Sequence, residues 1–468
     1  MTARRLLAWL CLPACVPAHA HGFGMRYDLP LPLSLWIAGA AATVLLSFGV
    51  VAIAVRAGGA VEAPVRRHAV RGPRVRGEGA AAGVARLLAV AALVLIVAAG
   101  LFGDPTPTRN LAPTAIWIAW WIGFSYLSAF VGDVWSVVNP WAAIYGAGAR
   151  LAGRSPDAAR LAWPHRLGAW PAIVLFVAFA WLELVWQGRA IPSRLAWVVI
   201  AFSVLTWAGM FVFGRAAWLA HADPFALAFG ILARFSVTSR SAEGLRLRPP
   251  GAGLLESDDV TPSLAVFVIV MLSTVTFDGL MATSSWQRIE SALYVASPSL
   301  GDSRLAVIDT AGLLAFCALV VAVYELVAAM TARASANRMT TQGASGAFVL
   351  TLVPIAIAYL VAHYLAYFLI QGQLMVRLAS DPFGFGWNLF GTAGFRPDIG
   401  IVGARFVWYT SLFAIVIGHV AAVSLAHIIA LRRLGDARLA ARSQVPMLVL
   451  MVAYTMMSLW IIAQPIVE

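Results

Sequence analysis

The sequence predicts an all-α fold, a polytopic transmembrane bundle with about ten spanning helices. Hydrophobic residues make up 61% of the 468 residues and charged residues only 12%, a balance that excludes an ordinary soluble enzyme. Apolar runs of about 20 residues recur along the whole chain, and each is long enough to cross about 30 Å of hydrocarbon. The net charge of +12 comes with arginines in the short connections between these runs, as in cytoplasmic loops of membrane proteins. We therefore expect membrane lipid as a partner and no nucleic acid.

The N-terminus has the features of a secretory signal peptide. Two arginines precede an apolar run, and Ala18-His19-Ala20 fits the small-residue pattern of a cleavage site. We expect residues 1–20 to be removed and residues 21–468 to form a single integral membrane domain. A lipoprotein site with lipidation of Cys15 is the alternative. Cleavage after Ala20 leaves Cys317 as the remaining cysteine, so no disulfide framework is expected.

The spanning segments follow from the apolar runs, taken in order. They are residues 35–55, 84–102, 113–131, 168–186, 195–213, 262–283, 305–331, 345–373, 403–427 and 445–463. The stretch after the third segment, from residue 133 to 154, predicts a short interfacial helix. With the mature N-terminus outside, ten crossings place every strongly basic loop on the cytoplasmic side. We expect a multi-pass protein of the bacterial cytoplasmic (inner) membrane, with both termini on the periplasmic side.

Three aspartates begin similar Gly- and aromatic-containing stretches after spanning segments. They are Asp133, Asp223 and Asp381, and the last two precede Pro-Phe. Because Asp-Pro commonly starts a turn or a helix, we interpret them as interfacial helix caps. The alternative is a site built from repeats near the bilayer midplane, as in transporters.

Ionisable residues inside the spanning segments are the main functional signal. His363 and His419 lie near the middle of the eighth and ninth segments, while Glu183 and Asp278 lie toward the outer ends of theirs. Such residues are costly in lipid, so they usually face the protein interior and have a function. We take His363, His419, Asp278 and Glu183 as catalytic candidates in one cavity open to the periplasmic side. The alternative is that they only hydrogen-bond neighbouring helices, and Tyr364 and Tyr367 are assigned to packing.

Imidazole and carboxylate groups together suit a divalent metal ion such as Zn²⁺. The predicted ligands are His21, His363, His419 and Asp278. As the first residue after cleavage, His21 can chelate copper through its amino group and its imidazole, so Zn and Cu both remain open. The sequence contains no H-E-x-x-H, CxxC, P-loop or G-x-S-x-G motif, and so lacks a strong catalytic signature.

Both ends of the mature chain resemble a known family. The opening HGFGMRYDLPLPLSLW from residue 21 and the closing MLVLMVAYTMMSLWIIAQPI from residue 447 are similar to bacterial membrane proteins called fenitrothion hydrolases. The resemblance implies hydrolysis of apolar organophosphorus triesters such as fenitrothion, with an apolar small molecule as substrate, and the His and Asp residues lead us to expect that the hydrolysis is metal-assisted. It supplies no catalytic motif to assign to particular residues. The alternative function is a transporter or metal-handling membrane protein with a buried His/Asp ion path.

Overall fold

The computed structural model describes residues 29–58, 79–241, 244–256 and 260–467. Within these ranges, ten helical segments are long and apolar enough to cross a membrane. The chain is therefore a multi-pass membrane protein, and the predicted all-α polytopic bundle is confirmed. The predicted signal peptide and His21 lie outside the described residues.

The described part of the chain is mostly helical. In chain order they are α1 (Leu33–Gly58), α2 (Ala80–Phe102), α3 (Leu111–Thr114), α4 (Gly123–Tyr126), α5 (Trp135–Val138), α6 (Pro140–Leu151), α7 (Trp170–Leu184), α8 (Pro192–Phe213), α9 (Arg215–His221), α10 (Pro224–Ala233), α11 (Pro262–Met281), α12 (Ser284–Ala296), α13 (Arg304–Ala334), α14 (Thr341–Val349), α15 (Val353–Gln371), α16 (Leu374–Ser380), α17 (Ala404–Leu434), α18 (Ala437–Ser443) and α19 (Val445–Val467). Two short strands, β1 (Thr238–Ser241) and β2 (Gly244–Leu247), pair antiparallel.

Two of the spans are composite. The third span, Leu111–Val131, contains α3 and α4 together with the π-helical segments Ala115–Ile122 and Leu127–Val131. The eighth span, Thr341–Gln371, joins α14 to α15 through a 3₁₀ turn. Each of the ten predicted segments overlaps one of the ten spans, and the stretch predicted as one short helix contains two, α5 and α6.

Contacts between connections agree with alternate crossing of the membrane. We call the end of the bundle at which α1 begins the first face and the opposite end the second face. At the first face, the connections after α2 and after the eighth span meet, with the Asp104 amide donating to the Phe383 carbonyl at 2.7 Å. At the second face, the connections after α8 and after the third span meet, with Arg240 donating to the Asp133 carbonyl at 2.8 Å.

The cap interpretation holds for two of the three aspartates. Asp223 accepts from the amides of Phe225 and Ala226 at the start of α10, where α9 and α10 bend by 68°. Asp133 accepts from the Ser136 amide ahead of α5. Asp381 instead accepts from amides within the loop that follows α16. The strand pair β1–β2, which lies in a stretch interpreted as a basic loop, was missed by the sequence analysis.

The eighth span and α11 form the centre of the bundle. Their apolar stretches are 83% and 78% buried, against 17% for α2, so α2 faces lipid while the central pair is surrounded by protein. An ionisable group on either central helix is therefore enclosed by other helices.

The close contact between α15 and α17 depends on Gly418. A Cβ atom at this position would lie 2.5 Å from the Ala358 Cβ and 2.7 Å from the Pro354 carbonyl oxygen. Small residues at such crossings let the two backbones approach. We expect Gly418→Ala to lower the free energy of unfolding by about 1–3 kcal/mol, the usual cost of overpacking, measured by detergent-induced unfolding. Gly39→Ala is the matched control, since its Cβ would meet no atom within 4 Å; an equal loss in both variants contradicts the prediction.

Candidate functional site

The centre of the candidate site is the carboxylate of Asp278. This residue lies on the last turn of α11, and α15 carries two neighbours in sequence that reach it. His363 Nε2 is 2.9 Å from Asp278 Oδ2, and the Tyr364 hydroxyl donates to the same oxygen at 2.7 Å. Asp278 and Tyr364 are buried. Together with Tyr364, the sequence-predicted pair forms a three-residue hydrogen-bonded cluster, which we call the Asp–His–Tyr cluster.

The proton on His363 Nε2 depends on the charge of Asp278. When Asp278 is ionised, its carboxylate only accepts hydrogen bonds, and His363 Nε2 then donates to it. A carboxylate that holds one imidazole nitrogen orients the ring and stabilises its positive charge when the other nitrogen takes a proton. The arrangement can therefore serve as a general base.

Glu183 lies beside this cluster. It shares a small pocket with Tyr364 and Thr274, and its charge and that of Asp278 act on one another. Arg189 follows α7 and donates to the backbone carbonyl of Glu183 at 2.9 Å, which brings a positive charge near the two carboxylates. The structure thus brings together three of the four predicted catalytic residues.

All three lie in the half of the bundle nearer the first face, at the depth that the sequence predicts. Glu183 is next to the last residue of α7, and Asp278 is three residues before the end of α11. The start of α1 packs at this end as well, because Leu29 and Leu33 join Ala366 of α15 in one apolar cluster. The described chain therefore begins close to the candidate site.

His419 belongs to different surroundings. Its Nδ1 is bonded to the Ile415 carbonyl of its own helix at 2.8 Å, and its ring lies 6.2 Å from that of Tyr454. Tyr454 in turn is hydrogen-bonded to Thr276 of α11. None of the hydrogen bonds of His419 reaches Asp278 or His363. His427, deeper on α17, packs edge-on against Phe48.

The predicted metal ligands do not converge in the described part of the chain. There, no group of three or more His, Cys, Asp or Glu side chains is arranged to hold a metal ion. Asp278 and His363 provide two donors, whereas catalytic zinc sites use three protein ligands. The described residues alone do not fit a zinc or copper site. The metal prediction stays a prediction, and its remaining ligand, His21, lies outside the described residues.

Tyr364 is the residue of the candidate site that the sequence analysis missed. It was assigned to packing because tyrosine combines an apolar ring with a polar tip. The structure corrects this, since the hydroxyl is bonded to Asp278. Its position directly after His363 was the available signal. The position alone does not say which way the hydroxyl points, because that depends on how α11 packs against α15.

The assignment of the site rests on this geometry. Comparison of the chain with protein-family models, with curated proteins and with solved structures gave no match.

Proposed function

We propose that this chain is a membrane-embedded hydrolase of apolar, neutral organophosphorus triesters, with His363 as the general base. The observation that carries the proposal is the Asp–His–Tyr cluster, buried among spanning helices. The resemblance of both chain ends to fenitrothion hydrolases supplies the substrate class. Neutral apolar triesters partition into bilayers, so a site inside the helical bundle can bind them directly from the lipid.

In the proposed mechanism a water molecule attacks phosphorus while the imidazole of His363 accepts one of its protons. A new P–O bond forms, the bond from phosphorus to the aryl oxygen breaks, and the aryl group leaves with its electron pair as a phenolate. The proton held by His363 then passes to the departing products, which restores the neutral ring. Asp278 stabilises the transient imidazolium, and Tyr364 holds the carboxylate in place. General-base catalysis of this kind contributes about 10²–10⁴-fold to the rate.

The location we propose is the bacterial inner membrane, with the first face and both termini on the periplasmic side. The support is the charge of the connections. Four arginines lie between the third span and α7, at the second face, whereas the short connection between α2 and the third span contains one. Positive loops favour the cytoplasmic side. The signal-like residues 1–20 agree with this orientation.

A transporter is the second candidate function, and one observation favours it. The π-helical third span and the bend of 68° between α9 and α10, with the buried Asp223 at the break, are discontinuities of the kind that transporters place at substrate sites. In this function the carboxylates Asp278 and Glu183 would carry ions or protons across the bundle.

A chromogenic assay separates the two functions. We expect membranes containing the protein to release nitrophenolate from a neutral nitrophenyl phosphotriester, and control membranes without it to release none. Absence of hydrolysis by folded protein contradicts the hydrolase, and uptake of a triester or metal without hydrolysis favours the transporter.

The metal prediction has its own measurement. If the predicted ligands hold Zn or Cu, metal analysis of the purified protein finds the ion and a chelator removes the activity, and His363 would then be a ligand and not the general base. Full activity of protein that a chelator has freed of metal contradicts the metal prediction and leaves the general-base mechanism in place.

A further inference from the structure

A large apolar cavity lies between α2, the third span, α7 and α8. Its volume is about 780 Å³, within the range of about 300–1,000 Å³ typical of small-molecule sites. Alanines such as Ala89, Ala92 and Ala178 leave the space, and aromatic rings form much of its wall. Among its described lining residues there is no ionisable, hydroxyl or amide side chain. Since burying an unpaired charge is very costly, the cavity suits only neutral, apolar groups.

The cavity extends along the membrane normal. At the first face it is lined by Leu111 and Leu378, and toward the second face by Trp135 and Trp141 of the interfacial helices α5 and α6. Because these positions lie at opposite ends of the third span, the cavity has the shape of a deep chamber within the bilayer.

A loop with exposed aromatic residues, which we call the aromatic loop (residues 381–390), lies at the first-face end of this cavity. Phe390 lines the cavity while remaining 72% exposed, and Phe385, Trp387 and Leu389 are exposed beside it. Apolar and aromatic side chains at the end of a span match the interfacial level of a bilayer, where tryptophan is enriched. The loop therefore places the entrance of the cavity in contact with lipid.

The aromatic loop is held in a fixed shape by side chains at its start. Asp381 accepts hydrogen bonds from the amides of Phe385 at 2.9 Å and Gly386 at 2.8 Å, and Ser380 Oγ accepts from the Phe390 amide at 3.1 Å. Gly384 and Gly386 adopt positive φ angles of 72° and 86°, which glycine alone reaches without strain. The exposed aromatic side chains are therefore a built feature of the fold.

The cavity shares one aromatic side chain with the small pocket beside the Asp–His–Tyr cluster. Phe179 of α7 lines both the large cavity and the small pocket that contains Glu183 and Tyr364. A molecule whose apolar part fills the cavity thus contacts a ring that also lines the pocket of Glu183 and Tyr364.

We infer that this cavity binds neutral lipophiles that enter from the bilayer past the aromatic loop, and that it holds the apolar substituents of the substrate beside the catalytic cluster. The second clause rests on the proposed function, whereas the first stands without it. The ligand class is a neutral ester with apolar substituents, taken from lipid and not from water. The charged diester product would be rejected by the same walls, which favours its release.

Photolabelling tests the inference. The probe is a neutral trialkyl phosphate carrying a diazirine, added to membranes with the full-length protein, and labelled residues are mapped by mass spectrometry. We expect labels on the cavity lining, and a loss of about tenfold or more in Ala92→Phe, the effect of one misfitting group in an apolar pocket. Ala91→Phe is the matched control, because Ala91 is equally exposed but lies outside the lining. Ala201→Phe fills the same cavity from α8 if the first variant does not fold.

Three results overturn the inference. They are equal labelling of Ala92→Phe and Ala91→Phe, labels spread over the lipid-facing surface, and labelling by a charged dialkyl phosphate probe as strong as labelling by the neutral probe. Labelling of the cavity in protein that releases no nitrophenolate supports the binding site and contradicts the hydrolase. The failure of the cavity and the failure of the proposed function are therefore distinguishable.

Discussion

Replacing His363 with glutamine is expected to lower triester hydrolysis by about 10²–10⁴-fold, the contribution of a positioned general base. Glutamine keeps a polar side chain of similar reach near Asp278 but cannot accept a proton at neutral pH. The loss should appear in kcat measured as nitrophenolate release by membranes with equal amounts of protein. Thermal unfolding of the purified variant should stay close to that of the parent protein, which separates chemistry from folding.

His419→Gln is the matched control for this variant. Both histidines lie inside spans, but the hydrogen bond of His419 goes to its own helix. We therefore expect activity within a few-fold of the parent protein, since mutations away from a site rarely change more than its stability. Equal losses in the two variants, or full activity in His363→Gln, contradict the assignment of the base.

Substitutions of Asp278 and Tyr364 should lower the activity by different amounts, because they remove different hydrogen bonds of the Asp–His–Tyr cluster. Asp278→Asn presents an amide that can donate to Nε2 and reverse the tautomer, so we expect a loss as large as that of His363→Gln. Tyr364→Phe removes one hydrogen bond of about 0.5–1.5 kcal/mol, and a loss of about tenfold or less follows. A larger loss in Tyr364→Phe than in Asp278→Asn would show that the hydroxyl acts directly on the substrate.

The fold was largely predictable because the bilayer fixes the length and the apolar character of each span. All ten segments could be read from residues that need only be apolar over a sufficient length. The π-helical turns of the third span and the bend before Asp223 could not, because apolar residues are compatible with α-helical and π-helical backbone alike. These irregularities depend on packing against neighbouring helices.

The sequence predicted how deep the candidate-site residues lie in the bundle, but not which of them are hydrogen-bonded to one another. Counting residues along each span placed Asp278, Glu183 and His363 in the same half of the bundle. Which histidine meets Asp278 depends on the rotation of α15 and α17 about their axes, and lipid-compatible residues on all sides leave that rotation unspecified. From the sequence alone, His363 and His419 were therefore equivalent candidates, although the structure shows the hydrogen bond to Asp278 for His363.

Phe179→Ala should be the most destabilising single substitution near the site, with a loss of about 3 kcal/mol in the free energy of unfolding. The ring lies 4.9 Å from that of Trp121 and 4.9 Å from that of Phe225, and its removal leaves a cavity between them. Soluble cores lose about 3–5 kcal/mol for Phe→Ala. The lower end applies here because lipid is as apolar as the core, so only the packing contribution is lost. Unfolding in mixed detergent micelles measures the change.

The same substitution also tests the partition between the cavity and the catalytic cluster. Removing the Phe179 ring should widen the passage between the apolar cavity and the pocket of Glu183 and Tyr364. The variant should then accept triesters with bulkier aryl groups, so kcat/KM for a bulky substrate relative to a small one should rise. Phe413→Ala is the matched control: Phe413 lies within α17 and is 60% exposed, facing lipid, so both stability and substrate preference should change little. Equal destabilisation of the two variants contradicts the packing argument. An unchanged preference in folded Phe179→Ala shows that the ring does not separate the apolar cavity from the reacting groups.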